Sequence, residues 1–139
     1  MEECFLDTNV IVRHITDDVP AMAATARALL KRVETGEVSA HITEAVLIEA
    51  IQVLTSPHLY NLDRATVARD LAVILELRGL RLPTKEMYFE ALDLWAASRL
   101  DFPDVLAVAY MRRQGLESIA TFDRDFDRFP GISRLAEFR

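Results

Sequence analysis

A chain of 139 residues, 51% hydrophobic and with a formal net charge of −6, has the size of one packed domain and lacks the broad basic field usual in nucleic-acid binders. It contains no run of about 18 apolar residues for a membrane span. There is no basic and apolar leader after Met1 and only one cysteine, Cys4, so neither a signal peptide nor an internal disulfide is expected, and the expected compartment is the cytoplasm.

Of the 16 basic residues, 14 are arginines, the better bidentate partners of phosphate, so the acidic sum does not by itself rule out a polyanionic substrate. The first break in the apolar pattern is Cys4-Phe5-Leu6-Asp7-Thr8-Asn9-Val10-Ile11-Val12. Residues 3 to 7 predict a short strand with Phe5 and Leu6 apolar on both faces, as in a central parallel strand. An acid, a hydroxyl and an amide at its end mark a site. A turn follows at Thr16-Asp17-Asp18, and Pro20 opens a helix with Asp17 or Asp18 as cap. Its apolar positions Met22, Ala26, Leu29, Leu30 and Val33 keep the helical period until Gly36.

Val38, Ala40 and Ile42 alternate as a second strand, and Thr43 caps a helix that stops before Ser56-Pro57. That helix is apolar on nearly every side and is expected to be buried all round. Glu49 lies inside it, where an unpaired carboxylate would be costly. It either pairs with an arginine or faces a cleft shared with water or metal.

After Asn61-Leu62-Asp63 a helix runs over Val67, Leu71, Ile74, Leu75 and Leu77 to Gly79, followed by an extended Leu80-Arg81-Leu82. Pro83-Thr84 starts another, with Tyr88, Leu92 and Trp95 spaced as a core stripe and not as a base-stacking surface. Asp101 then caps a helix with Pro103 and Asp104 in its first turn, ending near Gly115. A first-turn aspartate complements the helix dipole for up to about 1 kcal/mol. Asp104 stands above that ordinary role because Val105, Leu106, Val108 and Ala109 leave little but core around it. Ser118 to Thr121 form a short strand, residues 122 to 129 a polar, aromatic-punctuated turn, and Ile132 to Phe138 a last edge strand.

With no repeat, linker or low-complexity tract, residues 1–139 are expected to form a single domain. Strands alternating with helices predict a three-layer α/β fold, a short central parallel sheet flanked by helices. Ligands of such sheets collect at the carboxyl ends of the strands. Asp7 and Asp123 follow strands, Glu49 lies on the helix after the second strand, and Asp104 begins the helix leading back to a later one. Four acids from four segments can therefore meet at one edge, where each raises the others' pKa unless a cation intervenes. Carboxylates are the hard donors that Mg²⁺ or Mn²⁺ prefers. His14, His41 and His58 lack ligand spacing and are read as structural or exposed.

Leu6-Asp7-Thr8-Asn9, then Val46-Leu47-Ile48-Glu49-Ala50, then Asp101-Phe102-Pro103-Asp104-Val105-Leu106-Ala107, then Thr121-Phe122-Asp123-Arg124-Asp125-Phe126, together resemble a PIN domain. More narrowly the chain resembles the VapC-type toxins of toxin–antitoxin pairs, over its whole length. The resemblance implies an Mg²⁺- or Mn²⁺-dependent endoribonuclease, usually a homodimer, silenced by a small cognate antitoxin whose C-terminal segment covers the active-site groove. It makes Asp7, Glu49, Asp104 and Asp123 the catalytic and metal-binding quartet, with Asp7 and Asp104 as direct ligands and Thr8, Asn9 and Thr121 in support. Asp101 competes with Asp104, although Asp-x-Leu-x-x-Ala favours Asp104, and Asp125 or Asp127 can assist or replace Asp123. Arg13, Arg112, Arg113 and Arg124 are candidates for holding flanking phosphates.

Other folds gather acids at strand ends. A receiver domain needs a lysine near its phosphorylated aspartate, and neither Lys31 nor Lys85 is placed there. A haloacid-dehalogenase-type phosphatase wants a second aspartate where this chain has Asn9. The alternative that remains is a catalytically inactive PIN-like module that binds nucleic acid or protein. An intact quartet weighs against it, because a module freed from catalysis has no reason to keep costly buried carboxylates.

Overall fold

Val38, Ser39 and Ala40 are all shut off from water, and their place in the middle of a sheet is the reason. In the computed structural model, which describes residues 2–139, β1 (Glu2–Phe5) pairs with β2 (Val38–His41), and β2 pairs with β3 (Leu80–Arg81), all in parallel. A central parallel strand is covered on both faces, so its residues are small or apolar without alternation. Parallel pairing also requires a crossover after each strand, and the helices supply it.

The backbone gathers into two compact units, one running through Lys85 and the other Glu86–Arg139. In the first, α1 (Thr8–Thr16) and α2 (Pro20–Glu34) connect β1 to β2, and α3 (Glu44–Thr55) and α4 (Arg64–Leu75) connect β2 to β3. Helix α4 buries Val67, Leu71, Ile74 and Leu75, as its sequence period predicts, and the Asp63 carboxylate accepts the Thr66 amide at its start. In the second, α5 (Lys85–Ala96) and α6 (Phe102–Gln114) precede a parallel pair, β4 (Ser118–Ile119) and β5 (Ser133–Arg134), with 3-10 turns at Arg124–Arg128 and Ala136–Phe138. Tyr88, Leu92 and Trp95 are buried as the expected core stripe, with Trp95 edge-on to Phe102 at 6.1 Å.

The fold is thus mixed α/β with six α-helices among the described residues, and its strands depart from expectation in detail. They form two parallel ladders, three strands and two, in place of one sheet. The expected strand from Ile132 to Phe138 is only two residues long before it tightens into a 3-10 turn. The first strand ends at Phe5, which is 58% exposed and not covered as a central strand would be. From Thr8 the chain is already helical, and the apolar run at Val10 to Val12 belongs to α1, which buries Thr8, Ile11 and Val12.

Helix α2 is capped by Val19, not by Asp17 or Asp18. Asp17 instead ends α1 in the left-handed conformation, φ 56°. The Asp18 carboxylate accepts hydrogen bonds from the Tyr60 hydroxyl at 2.7 Å, the Thr16 hydroxyl at 2.9 Å and Arg13 Nη1 at 3.1 Å. The Tyr60 bond first, then Thr16 and Arg13, lower its pKa to about 2. A carboxylate depressed in the fold contributes stability above its ordinary pKa and loses it as pH falls through the folded value. Tyr60→Phe should therefore move the Asp18 titration upward and shift that loss to higher pH. Carboxyl-carbon NMR titration reads this directly, and an unmoved Asp18 would show that the phenol contributes nothing.

Candidate active site

Asp7 stands between β1 and α1 as the N-cap of the helix, with φ −75° and ψ 152°. An aspartate there ordinarily spends its carboxylate on the first amides of the helix. This one does not: its backbone carbonyl accepts the Val10 amide, while the side chain makes no cap bond and is exposed. Thr8, next in the chain, is only 4% exposed, and its hydroxyl donates to Glu49 Oε2 at 3.0 Å, joining α1 to α3.

That bond bears on the choice left open for Glu49: the arginine pairing is not what is seen, and the side chain faces water. Its hydrogen-bond partner is a threonine hydroxyl, not an arginine, and the residue is exposed, not buried within an all-apolar helix. Helix α3 buries one face, Val46, Leu47, Ala50, Ile51 and Leu54, and turns Ala45, Glu49 and Gln52 to water. Asn9 is also exposed and lines a groove of about 560 Å³ between α1 and α2, with Val10, Arg13, Met22, Ala26 and Leu29.

In the second unit Asp104 lies half-buried in the first turn of α6, behind Asp101, which caps the helix through its backbone and not its side chain. Burial first, then the negative charges of Asp101, Asp123 and Asp125, push the Asp104 carboxyl above the usual carboxylate range. Asp123 is exposed, follows β4 by four residues and is held on both sides. Its amide donates to the Thr121 hydroxyl at 3.1 Å and its carboxylate accepts the Asp125 amide at 2.9 Å.

Asp127 has a different occupation. Arg134, itself only 9% exposed, grips it through Nε at 2.9 Å and Nη2 at 3.1 Å. This fork holds the Asp127 carboxyl below its usual range and ties it to the C-terminal segment. Asp125 keeps a looser ion pair with Arg128 at 3.5 Å and remains within the electrostatic reach of Asp104.

The donors fit a hard divalent cation in kind, being carboxylates with hydroxyl support. An acid made reluctant to ionise by burial and by three neighbouring acids is one whose charge a cation would relieve. Among the described residues, however, no three His, Cys, Asp or Glu side chains are grouped closely enough to hold a metal ion. The histidines are dispersed as expected. His41 pairs with Glu3 at 3.1 Å, His58 lies in the loop after α3, and His14 Nδ1 on α1 is buried without a hydrogen-bond partner.

Of the arginines proposed for phosphates, Arg13 is committed to Asp18 and Tyr60, and Arg112 lies over the Phe129 ring at 5.9 Å. Arg113 and Arg124 are exposed. The link between Thr8 and Glu49, and the field of Asp101 on Asp104, were beyond sequence reasoning as specific interactions. Only the adjacency of Thr8 to Asp7 and of Asp101 to Asp104 hinted at them.

Among solved structures, the chain is similar to one described as VapBC2 from Rickettsia felis bound to a DNA fragment from their promoter. The identity is 15%, the match covers 97% of this chain and 98% of that one, and the TM-score is 0.36, too slight a likeness to bear on function. A search of curated proteins finds no match. The family model for the PIN domain matches residues 4–132, a span that takes in Asp7, Thr8, Glu49, Asp104 and Asp123. No described helix is long and apolar enough to cross a membrane. With the match running through both compact units and over every acid singled out above, the chain belongs to the PIN domain family.

Proposed function

We propose that this protein is a Mg²⁺- or Mn²⁺-dependent endoribonuclease, the VapC-type toxin of a toxin–antitoxin pair, working as a homodimer and held silent by a small antitoxin. The observation that carries the reading is the PIN domain match across residues 4–132, a span that contains Asp7, Glu49, Asp104 and Asp123. These four acids are the residues proposed to hold the cation. When bound, a divalent ion acidifies water and stabilises charge on a phosphodiester.

The residues of the chain then have separable tasks. Asp7, whose carboxylate is not spent on capping, supplies an anionic donor at the start of α1. Glu49 is aimed by the Thr8 hydroxyl, and Asp123 is fixed in its turn by Thr121. Asp104 carries a charge that burial and the nearby Asp101, Asp123 and Asp125 disfavour and that a cation would relieve.

The inactive-module alternative keeps more standing than the sequence allowed it. Asp7, Glu49 and Asp123 are exposed, so retaining them carries no large burial cost and the argument from costly carboxylates loses its premise. Cleavage of a short single-stranded RNA by the purified protein, titrated with Mg²⁺ or Mn²⁺ and reversed by chelation, separates the two. RNA binding without metal-dependent cleavage would favour the module.

Aiming a ligand through a hydrogen bond is commonly worth about 10- to 100-fold in metal-site activity. Thr8→Val, which keeps volume and burial but deletes the donor, should lower the cleavage rate by about that factor, while Thr8→Ser should retain most of it. Equal rates for the two variants would show that the 3.0 Å bond to Glu49 is structural only.

A further inference from the structure

Phe122 is 81% exposed, more than any other large apolar side chain of the described residues. Single exposed apolar residues are ordinary, so exposure alone says little. Three further observations set this ring apart. It packs at 4.9 Å, tilted by 56°, against Phe138, so it is braced from one side. The chain is pinned around it: Thr121 Oγ1 accepts the Asp123 amide and the Asp123 carboxylate accepts the Asp125 amide. And it is bonded directly to a candidate catalytic acid, as neither Phe5 nor Tyr110, the other exposed aromatics, is.

We infer that Phe122 is a stacking platform for one base of a single-stranded RNA, placed beside the acid at Asp123. The inference rests on the ribonuclease reading above and adds to it how the nucleotide flanking the cut is held. Consecutive Cα atoms are about 3.8 Å apart, so ring and acid start from points closer together than the length of one nucleotide. Arg124, next in sequence and exposed, adds a cation whose charge is felt at Asp127. An aromatic face and a guanidinium on either side of a candidate metal-binding carboxylate match the base and an adjoining phosphate of a single strand. A protein partner would use the ring's area but has no need of its flat face or of this order of charges.

The indole introduced by Phe122→Trp provides the probe, because the native Trp95 is 2% exposed and shielded from quenchers. With chelator present to prevent cleavage, a single-stranded hexaribonucleotide should quench its fluorescence strongly, and a duplex of the same sequence, whose bases are already stacked, should not. In metal, Phe122→Ala should raise KM about tenfold with little change in kcat, and Phe122→Leu, equally apolar but without a π face, should do the same. An unchanged KM in Phe122→Ala, equal quenching by duplex, or a KM restored by leucine would overturn the platform. So would quenching that depends on protein concentration without RNA, which would assign the ring to contact between copies of the chain. Cleavage with no quenching and no KM effect removes the platform and leaves the ribonuclease. Quenching by single strands with no metal-dependent cleavage keeps the platform and removes the ribonuclease.

Discussion

Asp104→Asn is expected to reduce metal-dependent RNA cleavage by at least about a hundredfold while leaving the fold intact. The two halves of that expectation come from different forces. In the first turn of α6 the carboxylate gains up to about 1 kcal/mol from the helix dipole, and its loss would be destabilising. Against it stand burial and the charges of Asp101, Asp123 and Asp125, which together shift the group toward its protonated form. Desolvation and repulsion both raise its pKa and are relieved when the charge is removed. A neutral isostere should be tolerated or slightly stabilising.

Catalysis responds the other way, because an amide oxygen is a far weaker donor to a hard cation than a carboxylate. Initial rates on a single-stranded RNA across a Mn²⁺ titration, together with a thermal melt, test both halves. Cleavage at the parental rate would remove Asp104 from the site. A collapsed melting temperature would mean that the acid serves the fold.

Gly79→Ala is expected to destabilise the first unit by about 3 kcal/mol, or to prevent folding. A Cβ on Gly79 would lie 2.1 Å from the Val38 carbonyl oxygen and 2.8 Å from that of Val33. Both are backbone atoms, fixed by the chain and not carried on a flexible side chain. Val33 O accepts the amides of Gly36 and Gly79, and Gly79 O accepts the amide of Ala40 in the buried middle strand. No side chain can swing aside to relieve the clash, so β3 would have to move away from β2. The melting temperature should fall by about 10 °C. Gly115→Ala makes a useful contrast: nothing lies within 4 Å of its Cβ, but its φ of 70° costs an L-residue about 1 kcal/mol. A melt for Gly79→Ala no worse than for Gly115→Ala would show that the sheet yields.

Helices α2 and α4 were legible in the sequence because their apolar residues recur with a helical period and their ends carry Pro20, Gly36 and the Asp63 cap. Helix α1 was not, since Val10-Ile11-Val12 suits a strand as well as one face of a short helix. Glu49 was misjudged for a related reason. Ala45 counts as apolar, yet its small side chain is as readily exposed, and it conceals a polar stripe with Glu49 and Gln52 at four- and three-residue spacing.

The same division holds for the candidate site. Residue types and their order along the chain suffice for the α/β class and the PIN family and single out the four acids as candidates, because those depend on local pattern and covalent sequence. Which partner each side chain takes does not, because it depends on what the folded backbone brings within about 3 Å, the reach of a hydrogen bond. Asp125 and Asp127 lie two residues apart in the same acidic turn, and only the tertiary position of Arg134 gives one of them a guanidinium fork. Thr8 and Glu49 are 41 residues apart and become a unit only when α1 packs beside α3.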